Sequence, residues 1–365
     1  MSRYYGIDRT EVRNIDIIKI DLNKLLSKNT VVDISTIGEL GYIVPNVNKK
    51  PVSLTRIKIV DNNIFNTFLL DKTVTPQGLQ RFYTTLDLTI ATKKNGKDNS
   101  RPLSLEAYKK YLEDIKSYLE GEYGVYIDIS EARFELVEIN ITSDMDYPFY
   151  EYSKIFEAVI NKRNMKKYPL PSIHIGETVE KPIGYELSSK KKRKGVQDNR
   201  PINRLKIYDK STQLLNCMRI YKEDNQMRIE YVLRTKDLIT KRLGTSKILD
   251  LTDQDIRDFL KNNIQEDIFK PVEAYISDSN KELKKRYRDL KKRYKRGYIR
   301  QFAQYSSQIN VDILDMEQVI AIAKKDMSKS NNYTRNHKVI DEVMPSILKN
   351  NFNKLAELKA KFLLD

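Results

Sequence analysis

The sequence predicts an α+β protein with a largely antiparallel sheet and packed helices, followed by an all-helical C-terminal region. Two observations support this fold class. Four segments alternate apolar and polar residues with the period of a β-strand, and a helical spacing lies between the first two of them. From residue 252 onward, the apolar residues recur with the helical period throughout. We therefore expect an α+β catalytic domain over residues 1–246 and a helical, basic region for DNA binding or oligomerisation over residues 247–365.

The elements follow from these patterns in chain order. The four strong strand patterns cover residues 134–142, 172–178, 204–210 and 226–234. Weaker strand patterns cover residues 15–21, 56–60, 65–70 and 84–91. A helix is predicted over 104–119, with Ser104 as its N-cap, and another over 149–162. Further helices are predicted over 279–300, 316–327 and 339–362.

The composition points to a polyanionic partner. The chain has 66 Lys and Arg residues against 50 Asp and Glu residues, which gives a net charge of +16 and a pI near 9.4. An excess of this size attracts nucleic acid or an anionic membrane surface. There is no long apolar run or apolar leader, so we expect a cytoplasmic protein without a membrane span. The single cysteine, Cys217, excludes an intramolecular disulfide and a cysteine-based zinc cluster, and no P-loop is present.

Tyr208 is the candidate nucleophile. In a strand, Leu205 and Ile207 would face a core, while the opposite face would carry Arg204, Lys206, Tyr208 and Lys210. A tyrosine needs nearby positive charge to favour its phenolate, and Lys206 and Lys210 are placed to supply it. The same cations would stabilise the charge that develops on a phosphate under attack. The alternative is an ordinary half-buried strand tyrosine.

Four residues are candidate ligands for Mg²⁺ or Mn²⁺, namely Glu138, Glu230, His174 and Glu177. Glu138 and Glu230 lie in otherwise apolar strands, where a carboxylate is costly unless it is paired or bound to a metal. A bulge at Gly176 could turn Glu177 inward. A salt bridge from Glu230 to a neighbouring arginine, and a hydrogen-bonded role for His174, remain the alternatives.

Two basic segments are candidate DNA-binding surfaces. The first, residues 189–195, lies just before the Tyr208 strand, and its cations are Lys190, Lys191, Lys192, Arg193 and Lys194. The second, residues 284–300, includes Arg286, Lys292 and Arg293, with Tyr287, Tyr294 and Tyr298 along one stripe. Such a pattern could stack bases and follow a backbone. Its alternative is a core-facing row of tyrosines under a solvated basic surface, which still binds DNA without sequence preference.

Four short motifs, taken in order, resemble the gene II/X family of filamentous-phage and plasmid rolling-circle replication initiators. They are Glu138-Ile-Asn-Ile-Thr142, His174-Ile-Gly-Glu-Thr178, Lys206-Ile-Tyr-Asp-Lys210 and Arg228-Ile-Glu-Tyr231. The resemblance spans about the first 245 residues and is sharpest over residues 134–244. Where the family has Arg-Ile-Asp, this chain has Glu138-Ile-Asn140, so the carboxylate has moved two positions along the same face.

The resemblance implies a specific chemistry. Family members nick one strand of origin DNA with the tyrosine that matches Tyr208, which forms a 5′-phosphotyrosine and frees a 3′-OH, and a divalent ion assists. It also favours Lys210, Glu230 and Glu177 as site residues. The implied partners are double-stranded origin DNA, the nicked single strand, and the host helicase and polymerase. A conjugative relaxase with the same chemistry, and a non-enzymatic DNA- or RNA-binding protein, are the alternatives.

Overall fold

The computed structural model describes residues 3–36, 41–75, 77–89, 99–175, 181–189, 200–294, 298, 301 and 347–363. The chain divides into two compact units. The first unit comprises residues 1–144 and 186–260, and the second comprises residues 145–185 and 261–365. Both units are therefore discontinuous in sequence, whereas the sequence pattern divides the chain once, after residue 246.

The strands and helices have the following bounds. The strands are β1 (Arg3–Arg13), β2 (Asp16–Ile20), β3 (Val31–Thr36), β4 (Tyr42–Pro45), β5 (Pro51–Ile59), β6 (Thr67–Val74), β7 (Gln80–Thr89), β8 (Val125–Asp128), β9 (Arg133–Met145), β10 (Leu170–Ile175), β11 (Pro182–Ser188), β12 (Asn203–Asp209) and β13 (Asn225–Arg234). The α-helices are α1 (Leu22–Leu26), α2 (Leu105–Tyr118), α3 (Ser153–Lys162), α4 (Lys210–Met218), α5 (Lys236–Leu243), α6 (Asp253–Ile264), α7 (Lys270–Arg293) and α8 (Ile347–Phe362).

A large sheet organises the first unit, and its strands run in the order β11-β12-β13-β9-β1-β7-β6-β5-β3, with β4 also paired to β5. The β12–β13, β9–β1, β1–β7, β7–β6, β6–β5 and β5–β3 pairs are all antiparallel. The fold class predicted from the sequence is therefore confirmed. The predicted helix over residues 316–327 lies outside the described residues.

Helix α2 covers one face of the sheet. It begins after Ser104, whose hydroxyl accepts a hydrogen bond from the Ala107 amide at 3.2 Å, as predicted for an N-cap. Its buried Tyr108 packs its ring 5.5 Å from that of Phe134 on β9 and shares a 3.0 Å hydrogen bond with Thr10 on β1. With this face covered, the opposite face of β1, β9, β12 and β13 carries the polar groups of the site.

A short segment before α2, residues 99–103, forms an antiparallel bridge with β1. The Ile7 amide donates to the Leu103 carbonyl at 2.8 Å, and the Leu103 amide donates back at 3.0 Å. Gly6 permits this approach, because a β-carbon at residue 6 would lie 1.9 Å from the Leu103 carbonyl oxygen. We call residues 99–103 the strap. It brings Asn99 and Ser100 to the polar face of the sheet.

Strand β1 contains a β-bulge opposite Glu138. Ile7 pairs with Ile139 and Thr10 pairs with Val137, so two residues, Asp8 and Arg9, stand against Glu138 alone. In such a bulge, the extra residue re-aims the side chains around it. Asp8 is thereby brought to the site, while Ile7 and Thr10 stay buried.

The second unit contains α3, β10, α7 and α8. The Phe149 and Phe156 rings stack at 5.4 Å, and the Tyr152 hydroxyl donates to Glu357 at 2.5 Å. On α7, Asp278 pairs with Lys162 at 2.7 Å and Glu273 pairs with Lys359 at 2.9 Å. Over the described parts of the chain, no helix combines the length and apolarity needed to cross a membrane.

Candidate active site

Two adjacent strands carry the centre of the site. In the antiparallel β12–β13 pair, Lys206 stands directly opposite Glu230, and Tyr208 stands opposite Arg228. Residues directly opposite each other share a face, so these four side chains lie together. The Tyr208 hydroxyl donates to Glu230 Oε2 at 3.1 Å, and Lys206 Nζ donates to Glu230 Oε1. One carboxylate therefore holds both the phenol and an ammonium group.

Lys210 is near Tyr208, but it does not belong to the strand. Strand β12 ends at Asp209, whose carboxylate caps α4 by accepting from the Thr212 amide at 2.9 Å, so Lys210 is the first helical residue. The prediction of a strand through residue 210 is wrong by this one residue. The fully buried Lys210 Nζ lies 2.6 Å from Asn99 Oδ1 and 5.9 Å from the centre of the Tyr208 ring.

Arg228 links the strands that carry the site. Its guanidinium is fully buried and donates to Thr142 Oγ1 at 2.8 Å and to Asp8 Oδ2 at 2.9 Å. It also donates to the carbonyls of Asn99 and, at 3.0 Å, Ser100. Arg228 thus connects β13 to β9, β1 and the strap. The sequence left open a salt bridge between Glu230 and a neighbouring arginine, whereas the ion pair of Arg228 is with Asp8.

The carboxylates Glu138 and Glu230 differ in their proton affinity. Burial and the charge of Glu230 raise the pKa of Glu138 to about 7. Burial would also raise the pKa of Glu230, but Lys206 and Arg228 outweigh it and lower that pKa. At neutral pH, Glu230 is therefore the ionised member of the pair, and Glu138 exchanges its proton near neutrality.

The electrostatics at Tyr208 differ from the expectation. Burial and the negative charge of Glu230 raise the pKa of Tyr208 well above its ordinary value, although Arg228 opposes them. The sequence predicted that Lys206, Lys210 and Arg204 would favour the phenolate. In the structure, Lys206 pairs with Glu230, and Arg204 lies 3.9 Å from Glu186. The resting tyrosine is therefore a neutral hydrogen-bond donor.

Asp8 and Asn140 are site residues that sequence reasoning did not assign. Asn140 is fully buried, and within the described chain neither atom of its side-chain amide has a hydrogen-bond partner. Asp8 Oδ1 is likewise buried without a partner there. Burial raises the pKa of Asp8, with Arg228 opposing and Glu230 adding to the increase. Asn140 lies on β9 together with Glu138, and Asp8 lies on the neighbouring strand β1.

The remaining predicted residues are distributed as follows. His174 is exposed on β10, in the second unit. Arg286, Lys292 and Arg293 are exposed on α7. Tyr287 is buried against Tyr298 with ring centres 5.8 Å apart, whereas Tyr294 is exposed, so the three tyrosines do not form one base-stacking stripe. Glu177 and the cations of residues 190–194 lie outside the described residues. In the described ranges, no group of three or more His, Cys, Asp or Glu side chains is arranged to hold a metal ion.

The comparisons with known proteins give similarity to solved structures. No protein-family model matches the chain, and no curated protein matches it. Among solved structures, the chain is similar to one described as the rolling circle replication initiator protein from Geobacillus stearothermophilus. The alignment covers 73% of this chain and 85% of that chain, at 10% sequence identity and a TM-score of 0.34. A similarity at this level assigns no role to individual residues.

Proposed function

We propose that this chain nicks and rejoins one strand of DNA at an origin, and so initiates rolling-circle replication of a plasmid, phage or integrated element. Tyr208 is the nucleophile, and a 5′-phosphotyrosine is the intermediate. The observation that supports this most directly is the position of the Tyr208 hydroxyl. This hydroxyl donates a hydrogen bond to Glu230 at 3.1 Å, and Tyr208 itself is half-buried. The cationic Lys206 and Arg228 lie on the same face of the sheet as Tyr208.

The chemistry follows from these contacts. Tyr208 Oη attacks the phosphorus, the P–O3′ bond breaks, and the departing oxygen takes up a proton to become a 3′-OH. Glu230 is the acceptor for the phenolic proton, because it already accepts that hydrogen bond. Lys206 lies beside both groups and would stabilise charge on the phosphate. Joining is the reverse of these steps.

The donor atoms at this site are oxygens, which are the ligands that a divalent ion such as Mg²⁺ or Mn²⁺ prefers. Asp8 Oδ1 and Asn140 Oδ1 are buried acceptors without a partner among the described residues, and burial together with the charge of Glu230 raises the pKa of the nearby Glu138 carboxyl. We propose that Asp8, Glu138 and Asn140 hold the ion, with Glu230 as a further candidate ligand. When bound, the ion would polarise the scissile phosphate.

The proposal includes the partners that this chemistry requires. The basic residues Arg204, Lys190 to Lys194, Arg286, Lys292 and Arg293 would contact the phosphates of origin DNA and of the nicked strand. The host polymerase would extend the free 3′-OH, and the host helicase would displace the nicked strand. We place this activity in the cytoplasm.

The first prediction concerns Tyr208. Supercoiled plasmid that carries the element's own origin should be relaxed in Mn²⁺ and not in EDTA, with a covalent adduct on the 5′ end. Tyr208→Phe should abolish both products, because the attacking oxygen is removed. Tyr221→Phe is the matched control, since Tyr221 is 74% exposed and outside the site, and it should nick like the wild type. Nicking by Tyr208→Phe at the wild-type rate would refute the assignment.

Two observations favour a second candidate, a non-enzymatic nucleic-acid-binding protein. Lys206 and Glu230 form an ion pair, and the pKa of Tyr208 is raised, which are features of a structural polar cluster. That protein would bind DNA equally well with Tyr208→Phe, without metal and without an adduct. A conjugative relaxase would give the same adduct as our proposal and would differ in acting at a transfer origin.

A further inference from the structure

The C-terminal half of α7 is a strongly basic helix. Residues 282–293 contain seven Lys and Arg residues and only two acidic ones, Glu282 and Asp289. All seven cations are exposed, while Tyr287 and Leu290 are buried. The basic residues are Lys284, Lys285, Arg286, Arg288, Lys291, Lys292 and Arg293. We call this half, residues 282–293, the basic helix.

The cations of the basic helix form three rows. At about 100° per residue, Lys284, Arg288 and Lys291 lie along one flank, and Arg286 with Arg293 lies along the other, roughly 180° away. Lys285 and Lys292 form a middle row, which lies directly opposite the buried stripe of Tyr287 and Leu290. Asp289 lies between the middle row and the Arg286 flank. The positive charge thus covers the exposed front and both sides of the helix.

This distribution matches a duplex better than a single strand. A single strand offers one line of phosphates, which one row of cations can follow. The major groove of B-DNA has a phosphate backbone on each wall, is about 12 Å wide, and admits a helix about 10–12 Å in diameter. The corresponding groove of duplex RNA is too narrow for side chains to read.

The N-terminal half of α7 contacts its neighbours within the second unit, and the basic helix continues directly from it. The N-terminal half of α7 forms the Lys162–Asp278 and Lys359–Glu273 ion pairs with α3 and α8. The Tyr287 ring packs edge-on against the Tyr298 ring at 5.8 Å. A helix held on one side therefore carries its charges on the others.

We propose that the basic helix binds in the major groove of duplex DNA, with the two flanking rows on opposite phosphate backbones and Lys285 and Lys292 towards the base edges. This inference deepens the proposed function, because it assigns the grip on origin duplex to one element. It also holds for a protein that binds DNA without cutting it.

The experiment measures binding by the full chain carrying Tyr208→Phe, so that no cleavage intervenes. The probes are an origin duplex of about 20 base pairs, an unrelated duplex and the matching single strand, each titrated over a range of salt. K284Q/R288Q and R286Q/R293Q should each reduce the slope of log affinity against log salt by about 2 for duplex, and change single-strand binding less than about twofold. K285Q/K292Q should reduce the preference for origin duplex over unrelated duplex.

The matched control is K270Q/K281Q on the same helix. Both lysines are exposed, but each is paired with a carboxylate, Lys270 with Glu266 and Lys281 with Asp278. This variant removes the same charge and should leave duplex binding close to that of Tyr208→Phe alone. Circular dichroism and thermal melting of each variant would establish that the fold is retained.

Three results would overturn the proposal. They are duplex binding unchanged by both flank variants, an equal effect on duplex and single strand, and an equal effect of K270Q/K281Q. These outcomes are independent of nicking. If duplex binding behaves as expected and no adduct ever forms, then the catalytic proposal fails while the basic-helix proposal stands.

Discussion

At the scale of single residues, the neighbouring carboxylates Glu138 and Glu230 differ in how strongly nearby cations stabilise their ionised forms. Glu230 is 3% exposed and has Lys206 and Tyr208 as hydrogen-bond partners. Glu138 faces the same region, and the nearby charge of Glu230 and the burial of the site both oppose its ionisation. Ionisation of Glu138 at high pH is therefore unfavourable in the folded protein, and we expect it to lower the free energy of unfolding.

The pH dependence of folding should show this cost. The pKa of Glu138 is raised from 4.5 to about 7 in the folded state, so the folded protein holds this proton more tightly than the unfolded chain. The contribution to stability is complete below the unfolded value and is lost as the pH rises through about 7. In EDTA at about pH 8, Glu138→Gln should be more stable than the wild type by about 1–3 kcal/mol.

Denaturant unfolding at several pH values would measure this difference. Glu138→Gln and the wild type should converge towards about pH 4, where both side chains are neutral. Glu282→Gln on α7, where the glutamate is exposed, is the control for loss of one carboxylate. If the gap between Glu138→Gln and the wild type does not grow with pH, then the raised pKa of Glu138 is wrong.

Arg228 should be a much larger determinant of stability than Arg204. Arg228→Met would leave Asp8, Thr142 and two strap carbonyls without their buried donor, and breaking such a network costs about 3–5 kcal/mol. Arg204→Met is the comparison, because Arg204 is partly exposed and its ion pair with Glu186 is long, at 3.9 Å. Loss of this ion pair should lower the free energy of unfolding by about 0–1 kcal/mol. Urea denaturation of both variants would measure the two values. Equal losses would contradict the role assigned to Arg228.

At the scale of elements, the strap determines how the buried cations are held. Asn99 accepts from Lys210 and, through its carbonyl, from Arg228, and the strap itself is bound to β1 at Ile7. The position of the strap depends on Gly6, beside which it runs. A change at Gly6 should therefore alter the hydrogen bonds between the strap and Arg228, which lies on a different strand.

Gly6→Ala tests this dependence. The added methyl group would lie 1.9 Å from the Leu103 carbonyl oxygen, so the strap must shift, and we expect a loss of about 3 kcal/mol or more together with reduced nicking. Gly121→Ala is the control, because a β-carbon there meets nothing within 4 Å and the residue lies in a helical turn. That change should stabilise the protein by about 0.5–1 kcal/mol. Thermal unfolding of both variants would show whether the signs are opposite.

The sequence predicted the bounds of the strands with clear alternation most closely, and it missed several of the other strands. Strands β9, β12 and β13 have period-two patterns, and the structure places them close to the predicted bounds. Strand β1 was not predicted, because its bulge at Asp8 and Arg9 breaks the alternation, with Ile7, Thr10 and Val12 buried. Asp8 was missed for the same reason. Asn140 appeared only as a departure from the family motif, since nothing in a sequence shows that an amide is unsatisfied.

At the scale of the whole molecule, periodicity predicted the fold class but gave a single division of the chain. The switch to helical spacing near residue 252 is real, since α6, α7 and α8 follow it. A compact unit, however, is defined by contacts between distant segments, which one sequence does not reveal. The charge of +16 likewise predicted a polyanionic partner without indicating where it binds.

The discontinuous second unit has a consequence for dissection of this protein. A polypeptide ending at residue 246 would retain residues 145–185 but lose the segments with which they are folded. Tyr168 would lose Asp267, Tyr152 would lose Glu357, and Lys162 would lose Asp278. Deleting residues 247–365 would thus leave residues 145–185 without the segments they pack against, and a minimal form of the first unit would require excision of residues 145–185 as well.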